Sequence, residues 1–415
     1  MRADISFMTL DADVIIVGGG LNGAAAALSL AKAGLDVIAL DARAETIDEA
    51  AAFDGRAYAV ALASQRFWRA VGVWDRVAEH AEPMIDIVVS DGRLSEGASP
   101  LFLHFDHREL EEGVYGYMVE DRHLRPAALA AMEESEAISR RSGLAVDHVR
   151  YDLGKATATL SNGEVLSASL IVACDGRNSP IGAAAGLRRV SWDYPQTGLV
   201  SAVSHELPHN GVAHEYFLPA GPFAILPLKG DRASLVWTET HAEAARIHAL
   251  PDALYLDELA RRFGNFLGDI QLEGRRWTYP LAFSLAHDYV APRLALLGDA
   301  AHAVHPIAGQ GLNLGVRDAA ALAETLADAT RRGEDPGQLD VLRRYQAWRR
   351  FDNASFALGM DALNRLFAND VGPVRALRDI GLAAVNNAPG LKRFFMKAAA
   401  GLSPEAPKLL RGEPL

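Results

Sequence analysis

The amino-acid sequence predicts an α/β fold that combines a parallel β-sheet, an inserted and mostly antiparallel β-sheet, and a helical C-terminus. Three apolar runs, 13–20, 165–176 and 292–299, end in glycine or aspartate, as do strands that are buried on both faces of a parallel sheet. Residues 191–284 instead alternate aromatic and β-branched residues with turn signals, which is typical of antiparallel strands. From about residue 316 onward the pattern is mostly helical.

Length, charge and cysteine content limit the class of protein. A chain of 415 residues, half of them hydrophobic, is long enough for two or three domains. The net charge of −12 argues against a general nucleic-acid binder. Cys174 has no second cysteine to pair with, which favours a reducing compartment, and we expect it to be a buried core residue rather than a reactive thiol. With no signal peptide and no apolar run of about 18 residues, the expectation is a cytoplasmic protein, with docking at a membrane surface left open.

The first element carries a glycine pattern that is typical of dinucleotide binding. Gly18, Gly20 and Gly23 fit G-x-G-x-x-G between a strand and a helix, and Asp41 ends the next strand. Such glycines allow a tight turn, room for a pyrophosphate at the helix N-terminus, and close helix–strand packing. A plain tight turn is the alternative. The acid at the end of the second strand favours FAD or NAD over NADP and predicts a Rossmann-like domain.

The three strand ends predict a single site. Asp175-Gly176 and Gly298-Asp299 follow the second and third apolar runs, and a glycine-rich stretch, HPIAGQGLNLG (305–315), precedes the C-terminal helices. Parallel strands deliver their following loops to the same sheet edge, where ligands bind. The three motifs are therefore expected to converge on one elongated cofactor.

Together the motifs GGGLNG, ACDGRNS and LLGDAAHAVHPIAGQGLNLG resemble those of the single-component flavoprotein aromatic hydroxylases. DGRAYAVALAS, AGPFAILPL and DALNRLFANDVGPVRALRDIGL are similar to the branch that makes ubiquinone. The resemblance implies a discontinuous, Rossmann-like FAD-binding domain (1–80, 115–190 and 285–365), a substrate domain (81–114 and 191–284) and C-terminal helices (366–415).

The resemblance also implies an activity. Bound FAD would be reduced by NADH or NADPH, and O2 would supply the oxygen atom that hydroxylates the ring of a polyprenylated phenol or benzoquinol. Two alternatives stay open: a hydroxylase of a small soluble aromatic acid, and a non-catalytic flavin- or prenyl-binding escort protein. Docking to a membrane surface or to a ubiquinone-biosynthesis enzyme assembly is the partner expectation. The C-terminal helix with Lys392, Arg393 and Lys397 is its candidate surface, with core packing as the simpler interpretation.

Site residues are carried over from the same resemblance. Asp41 would bind the adenosine ribose, Asp299 a ribityl hydroxyl, and Arg56 the pyrophosphate or the region near the ring. The expected reaction face comprises His305, Pro306 and Gly309. The full set of expected cofactor-binding residues is Gly18, Gly20, Leu21, Asn22, Gly23, Asp41, Ala42, Arg43, Arg56, Arg125, Asp175, Gly298, Asp299, Pro306, Gly309, Gly311, Leu312 and Asn313.

Two further features of the sequence are a pair of histidines and a departure from the family pattern. The spacing of His302 and His305 could suggest a metal pair, but we expect no metal site, and instead hydrogen bonds within the loop and, for His305, proximity to the flavin. Gly182 stands where the family usually has an arginine, and Arg177 is the residue that could replace that arginine in part.

Overall fold

The computed structural model describes residues 10–44, 52–93, 97–111, 113–304, 309–367 and 372–415. The helices are α1 Leu21–Lys32, α2 Leu62–Ala70, α3 Trp74–Val77, α4 Asp121–Glu133, α5 Pro180–Ala184, α6 His241–His248, α7 Asp252–Phe263, α8 Gln310–Arg331, α9 Leu339–Phe367, α10 Gly372–Asn386, α11 Pro389–Ala399 and α12 Lys408–Arg411. The strands are β1 Ala12–Val17, β2 Val37–Asp41, β3 Ala57–Ala61, β4 Glu82–Met84, β5 Asp86–Arg93, β6 Gly97–Asp106, β7 Gly116–Glu120, β8 Ile138–Ser142, β9 Val146–Tyr151, β10 Ala156–Leu160, β11 Val165–Ala173, β12 Arg189–His205, β13 Val212–Leu218, β14 Gly221–Leu228, β15 Arg232–Thr240, β16 Ile270–Ala286, β17 Val290–Ala291, β18 Leu294–Leu296 and β19 His302–Ala303.

The first sheet has the order β17-β18-β11-β1-β2-β8, with β10 and β9 extending from β11 as a hairpin. β1 runs parallel to both β11 and β2, and β11 runs parallel to β18. Val14, Ile15 and Ile16 of β1 are fully buried, which explains their unbroken apolar run. On α1 the four small residues Ala24–Ala27 are also buried, so the helix lies close to its neighbours. α1 packs on α8, where the Ser29 hydroxyl donates to the Ala319 carbonyl at 3.3 Å.

The second sheet has the order β19-β16-β12-β15-β14-β13-β5-β6. Its pairs are antiparallel except for β13 with β5. One face is covered by α6 and α7, which bury Trp237, Phe223 and Tyr255. The predicted fold class, a parallel core with an inserted antiparallel sheet and a helical C-terminus, is confirmed.

A small third sheet, β3-β7-β4, joins the other two. By its sequence pattern alone, the stretch 54–77 is a loop that carries Arg56 followed by a helix, whereas in the structure β3 lies between the loop and α2. β3 pairs with β7, and its backbone also pairs with the Asn313 side chain of α8, so the strand depends on contacts far away in sequence. Met84 and Met118 of this sheet pack on Ala213 and Leu228 of the second sheet.

The C-terminal helices α10 and α11 pack on the β5–β6 end of the second sheet. Leu382 and Met396 contact the cluster around Leu103 and Phe105. Among the helices of the described residues, none is long and apolar enough to pass through a lipid bilayer.

Candidate functional site

The carboxyl ends of β1, β11 and β18 lie side by side at one edge of the parallel sheet. The Cys174 amide donates to the Val17 carbonyl at 2.8 Å, and the Leu297 amide donates to the Ala173 carbonyl at 3.0 Å. The turns that carry the three sequence motifs are therefore adjacent. This confirms the prediction that they meet at one edge.

Gly18 and Gly23 are required by packing. Gly18 has φ +116°, and a Cβ atom on it would lie 2.2 Å from the Cys174 carbonyl oxygen. A Cβ atom on Gly23 would lie 1.8 Å from the Gly18 carbonyl oxygen. The first turn thus contacts the neighbouring strand and its own helix through bare backbone.

Gly20 differs from both, because a Cβ atom there would meet nothing within 4 Å. It is the N-cap of α1, and no side chain caps the helix. Leu21, the first helical residue, is buried in the core. The α1 N-terminus therefore has no capping side chain, and the backbone beside it borders open space at the positive end of the helix dipole, which is an arrangement suited to an anionic group.

Asp41 stands beside this turn. It is the last residue of β2, and a Cβ atom on Gly19 would lie 2.1 Å from its Oδ2 atom. The Arg43 amide donates to Asp41 Oδ1 at 3.0 Å, while Ala42 and Arg43 are exposed. The Asp41 carboxylate is thus held at the sheet edge, next to the α1 N-terminus.

Asn22 links the first motif to the other two. Its side chain lies so close to two glycines that a Cβ atom on Gly298 would be 2.4 Å from Nδ2, and one on Gly315 would be 2.2 Å from Oδ1. Asn22 Oδ1 is buried without a hydrogen-bond partner in the described part of the chain. The N-terminal end of α1, the turn after β18 and α8 therefore meet around this one side chain.

The N-terminus of α8, like that of α1, has no side-chain cap. Gly309 is its N-cap with φ +61°. A Cβ atom on Gly311 would meet nothing within 4 Å, whereas Leu312 packs on the core. The expected residues His305 and Pro306 lie outside the described residues.

The Asn313 carboxamide forms hydrogen bonds with the backbone of β3. The Ala61 amide donates to Asn313 Oδ1 at 2.9 Å, and Asn313 Nδ2 donates to the Ala59 carbonyl at 2.8 Å. These bonds hold β3 against the start of α8. The Asn313 side chain therefore spends most of its hydrogen bonds within the fold.

Two carboxyl groups, of Asp175 and Asp299, lie in the turns that follow β11 and β18 at the edge where the three motifs meet. Asp175 Oδ2 accepts from the Ile181 amide at 3.1 Å, while its Oδ1 is buried without a partner among the described residues. Burial raises the pKa of Asp175 above its usual value. Asp299 is reached by solvent, yet enough protein surrounds its carboxyl to raise its pKa as well. A carboxyl that is both solvated and enclosed lies in a concave part of the surface.

The departure at Gly182 has a local reason. A Cβ atom there would already lie 3.0 Å from Ser179 Oγ and 3.3 Å from Leu296 Cδ2, so a long side chain does not fit without rearrangement. Arg177 donates to the Pro280 carbonyl at 3.4 Å. Arg189 connects the turn after β11 to the turn after β18, since it donates to the carbonyls of Arg177 and Ala300.

Arg56 and Arg125 are brought together by Asp121, the first residue of α4. Arg56 Nη2 lies 3.0 Å from Asp121 Oδ2, and Arg125 Nε lies 3.3 Å from Asp121 Oδ1. The Tyr58 hydroxyl donates to the same carboxylate at 2.8 Å. Arg56 also lies over the Trp277 ring of β16 at 5.5 Å, so this cluster joins α4 and the small sheet to the second sheet.

His302 has its partner outside the loop, contrary to the prediction. Its Nε2 lies 2.6 Å from Oδ2 of Asp318 in α8, and both side chains are buried. Asp318 also accepts from the Gly298 amide at 3.1 Å, from Arg349 Nε at 2.9 Å and from Asn353 Nδ2 at 3.0 Å. The helices α8 and α9 were not expected to fix the turn after β18.

Burial raises the pKa of the Cys174 thiol, which disfavours a reactive thiolate.

A row of four small apolar residues and one glutamate crosses the face of the second sheet that is turned toward the small sheet. Its members lie opposite one another on adjacent strands: Val200 on β12, Val236 on β15, Ala224 on β14, Glu215 on β13 and Val89 on β5. On one side of this row the sheet packs on Met84 and Met118, and on the other side Phe217 stacks on Phe367 of α9 at 4.0 Å. Between these contacts Val200, Val236 and Glu215 keep partial solvent access. We call this strip the sheet recess.

The sheet recess lies next to the start of α8. Ala59 of β3 packs in the same cluster as Ala213, which is two residues from Glu215. A Cβ atom on Gly309 would lie 3.1 Å from the Cβ atom of Ala59. At the other end of the row, Val200 pairs with Trp277, over which Arg56 lies. The recess therefore borders the same edge as the two uncapped helices.

Comparisons with known proteins agree with this geometry. A family model described as FAD binding domain matches residues 11–351. Ubiquinone hydroxylase UbiL of Rhodospirillum rubrum is 46% identical over 97% of this chain and 94% of its own length. The 3-demethoxyubiquinol 3-hydroxylase of Escherichia coli is 36% identical over 94% of this chain and 98% of its own. The crystal structure of p-nitrophenol 4-monooxygenase PnpA from Pseudomonas putida superimposes with a TM-score of 0.75 at 21% identity, over 93% of this chain and 96% of that one.

The chain belongs to the FAD-dependent hydroxylases of ubiquinone biosynthesis. It is a flavoprotein aromatic-ring monooxygenase, as the resemblance of its motifs implied. A hydroxylase of this family needs room for an elongated dinucleotide. The open backbone at Gly20 and Gly311, together with the unpaired oxygen of Asn22, fits such a group.

Sequence reasoning missed two residues of this hydroxylase. Gly315 lies within the quoted glycine-rich stretch, but its role depends on the approach of Asn22, which no local pattern reveals. Glu215 is the one acid in the strand VAHEYFL, at a position whose neighbours Ala213 and Phe217 face inward. An acid at an inward position of an alternating strand is a signal that could have been noticed.

Proposed function

We propose that this hydroxylase acts on the aromatic ring of a polyprenylated phenol or benzoquinol in ubiquinone biosynthesis, with NADH or NADPH and O2 as co-substrates. The observation that carries the proposal is the meeting of two uncapped helix N-termini around Asn22, beside an apolar recess. The names of the two relatives, a ubiquinone hydroxylase and a demethoxyubiquinol hydroxylase, support the substrate class.

The chain's own residues supply binding and orientation. Bound FAD would accept hydride from the nicotinamide and activate O2. We infer that the α1 N-terminus holds the pyrophosphate and that Asp41 accepts hydrogen bonds from the adenosine ribose. Asp299 would accept one from the ribityl chain. Gly309 and Gly311 would let the α8 N-terminus approach the ring, where its dipole stabilises negative charge.

The sheet recess supports an apolar substrate. Valine and alanine side chains offer no hydrogen bonds to a carboxylate, and both Arg56 and Arg232 are already paired with acids. A small aromatic acid would therefore bury its charge without a partner, which costs free energy. The geometry favours the prenylated phenol over the small acid.

A membrane surface is the proposed source of the substrate, since prenylated phenols partition into lipid. On α11, Leu391, Phe394 and Phe395 are exposed beside Arg393 and Lys397, which is the pattern of a helix that lies on an anionic lipid surface. Lys392 does not belong to this surface, because it pairs with Glu109 at 2.6 Å.

Anaerobic reduction by NADH or NADPH, measured with and without a short-chain prenylphenol, tests the activity. We expect the flavin to bleach faster with the phenol present, and the phenol to gain one oxygen atom once O2 is admitted. A flavin that binds tightly but is never reduced would favour the escort protein instead. Co-sedimentation with anionic vesicles tests the docking, which would be refuted by a protein that stays in the supernatant.

A further inference from the structure

Glu215 lies in the middle of the sheet recess. Its Cα partners are Ala224 on β14 and Val89 on β5. Its neighbours along β13 show which way it faces, since Ala213 and Phe217 contact the small sheet and α9, whereas Tyr216 packs under α6 and α7. The carboxyl is thus directed into the recess that borders the start of α8.

Other charged side chains on this face have partners, whereas Glu215 has none. Asp91 pairs with Arg378 at 2.8 Å, and Arg232 pairs with Glu120 at 2.6 Å. Across residues 10–44, 52–93, 97–111, 113–304, 309–367 and 372–415, no hydrogen bond or ion pair of Glu215 is found. Burial raises the pKa of Glu215 to about 8.

An unpartnered carboxyl in apolar surroundings destabilises the folded state. Water still reaches part of the Glu215 side chain, so the cost of placing its carboxyl among apolar residues is at most about 1–3 kcal/mol. Packing does not explain an acid at this position, because Val89, Ala224 and Val236 around it are apolar. Such a cost is typical of a residue that acts on a ligand.

The recess offers one polar group among aliphatic surfaces, which defines the ligand that fits it. An aromatic ring can lie on the valine and alanine side chains, and a ring hydroxyl can then meet the carboxyl. A ring carboxylate would instead face an acid without a countercharge. The site therefore selects a neutral hydroxylated ring.

We propose that Glu215 hydrogen-bonds a ring hydroxyl of the phenol or quinol substrate and thereby positions the ring beside the start of α8. This inference rests on the proposed function, whose substrate class it narrows to rings with a free hydroxyl. Glu215 is a substrate-contacting residue that sets specificity, and no proton transfer is required of it.

Two substitutions in the FAD-loaded enzyme test the inference. Glu215→Leu removes the hydrogen bond and fills the recess with an apolar group, while Glu215→Gln keeps a hydrogen-bonding oxygen. We expect Glu215→Leu to raise the Kd for a 2-prenylphenol about tenfold, the loss of one buried hydrogen bond, and Glu215→Gln to raise it less. Binding is followed by the change in flavin absorbance. Glu243→Gln, on α6 at the opposite face of the sheet, is the matched control and should bind like the parent.

Thermal unfolding separates this role from a structural one. If Glu215 acts on substrate, the leucine variant should unfold at the same temperature as the parent or higher, since a carboxyl without a protein partner has been removed from apolar surroundings. A leucine variant that unfolds at a lower temperature and binds the phenol normally would overturn the inference.

The O-methyl ether of the same prenylphenol separates this inference from the proposed function. The ether has no hydroxyl to donate, so the parent should bind it more weakly than the phenol, and Glu215→Leu should bind both alike. A parent enzyme that binds phenol and ether equally, or binds neither, overturns the inference. Binding that behaves as expected without any hydroxylated product contradicts the proposed function alone.

Discussion

At the scale of single residues, Gly18 and Gly20 share one turn but carry different constraints. Gly18 has a left-handed backbone and touches the Cys174 carbonyl, so the fold itself requires it. Gly20 has φ −66° and open space around it, so the fold tolerates a side chain there. What Gly20 preserves is access to the first N–H groups of α1.

Gly20→Ala should weaken FAD binding about tenfold to a hundredfold, because its methyl group hinders charge-assisted hydrogen bonds to phosphate. The free energy of unfolding of the apoprotein should change by no more than about 1 kcal/mol. Fluorescence titration with FAD and urea unfolding of the apoprotein measure the two effects.

Gly18→Ala is the contrasting variant. We expect it to lose about 1–3 kcal/mol of stability or more before any cofactor is added, since alanine at φ +116° is strained and its Cβ meets backbone. Equal loss of stability in both variants would show that Gly20 serves the turn and not the phosphate.

At the scale of elements, Asp318 ties four parts of the chain together. Its carboxylate accepts from the Gly298 turn, from His302 of β19, and from Arg349 and Asn353 of α9. Burial alone would raise its pKa, but the pairing with His302 and Arg349 outweighs burial and lowers the pKa of Asp318. Its ionised form therefore stabilises the fold at neutral pH.

Asp318→Asn should cost about 3–5 kcal/mol at pH 7, since it removes the buried charge partner of Arg349 and leaves that guanidinium only the partly exposed Asp352. A carboxyl whose folded pKa is depressed contributes stability above its unfolded pKa near 4 and loses that contribution as the pH falls further. The gap between parent and variant should therefore stay constant from pH 7 to about 4 and narrow below that.

Urea unfolding followed by circular dichroism measures this gap. Asp328→Asn is the control on the same helix, because its pair with Arg331 is exposed and contributes little. A gap that is equally small for both variants would mean that the buried network does not hold the four elements together.

At the scale of the whole molecule, the parts of the fold that depend on residues close together in sequence could be predicted. The strand–turn–helix around Gly18, Gly20 and Gly23 is local, and the apolar runs mark strands of one parallel sheet, so the shared edge could be foreseen although the strand order could not. The link between Asn313 and β3 spans 252 residues along the chain, and that between Asp318 and Arg349 joins two helices. Such pairings depend on how elements pack, which no spacing in the sequence encodes.

Two neighbouring residues of β13 act on stability in opposite directions as pH changes. Burial lowers the pKa of His214 to about 4, so the unfolded chain binds more protons than the folded one between about pH 4 and 6.5. In that range His214 makes stability rise with pH. Glu215, with its pKa raised to about 8, makes stability fall with pH between about 4.5 and 8, because there the folded chain holds the extra proton.

The two slopes oppose each other up to about pH 6.5, and above that only the slope from Glu215 remains. Each is at most about 1.4 kcal/mol per pH unit. We therefore expect the unfolding free energy of the ligand-free protein to fall between pH 6.5 and 8, and Glu215→Gln, which has no proton to lose, to flatten that fall. Urea unfolding of both proteins at half-unit pH steps measures it. If parent and variant fall in parallel, the carboxyl of Glu215 is already ionised in the folded state, and the recess is more polar than its aliphatic walls indicate.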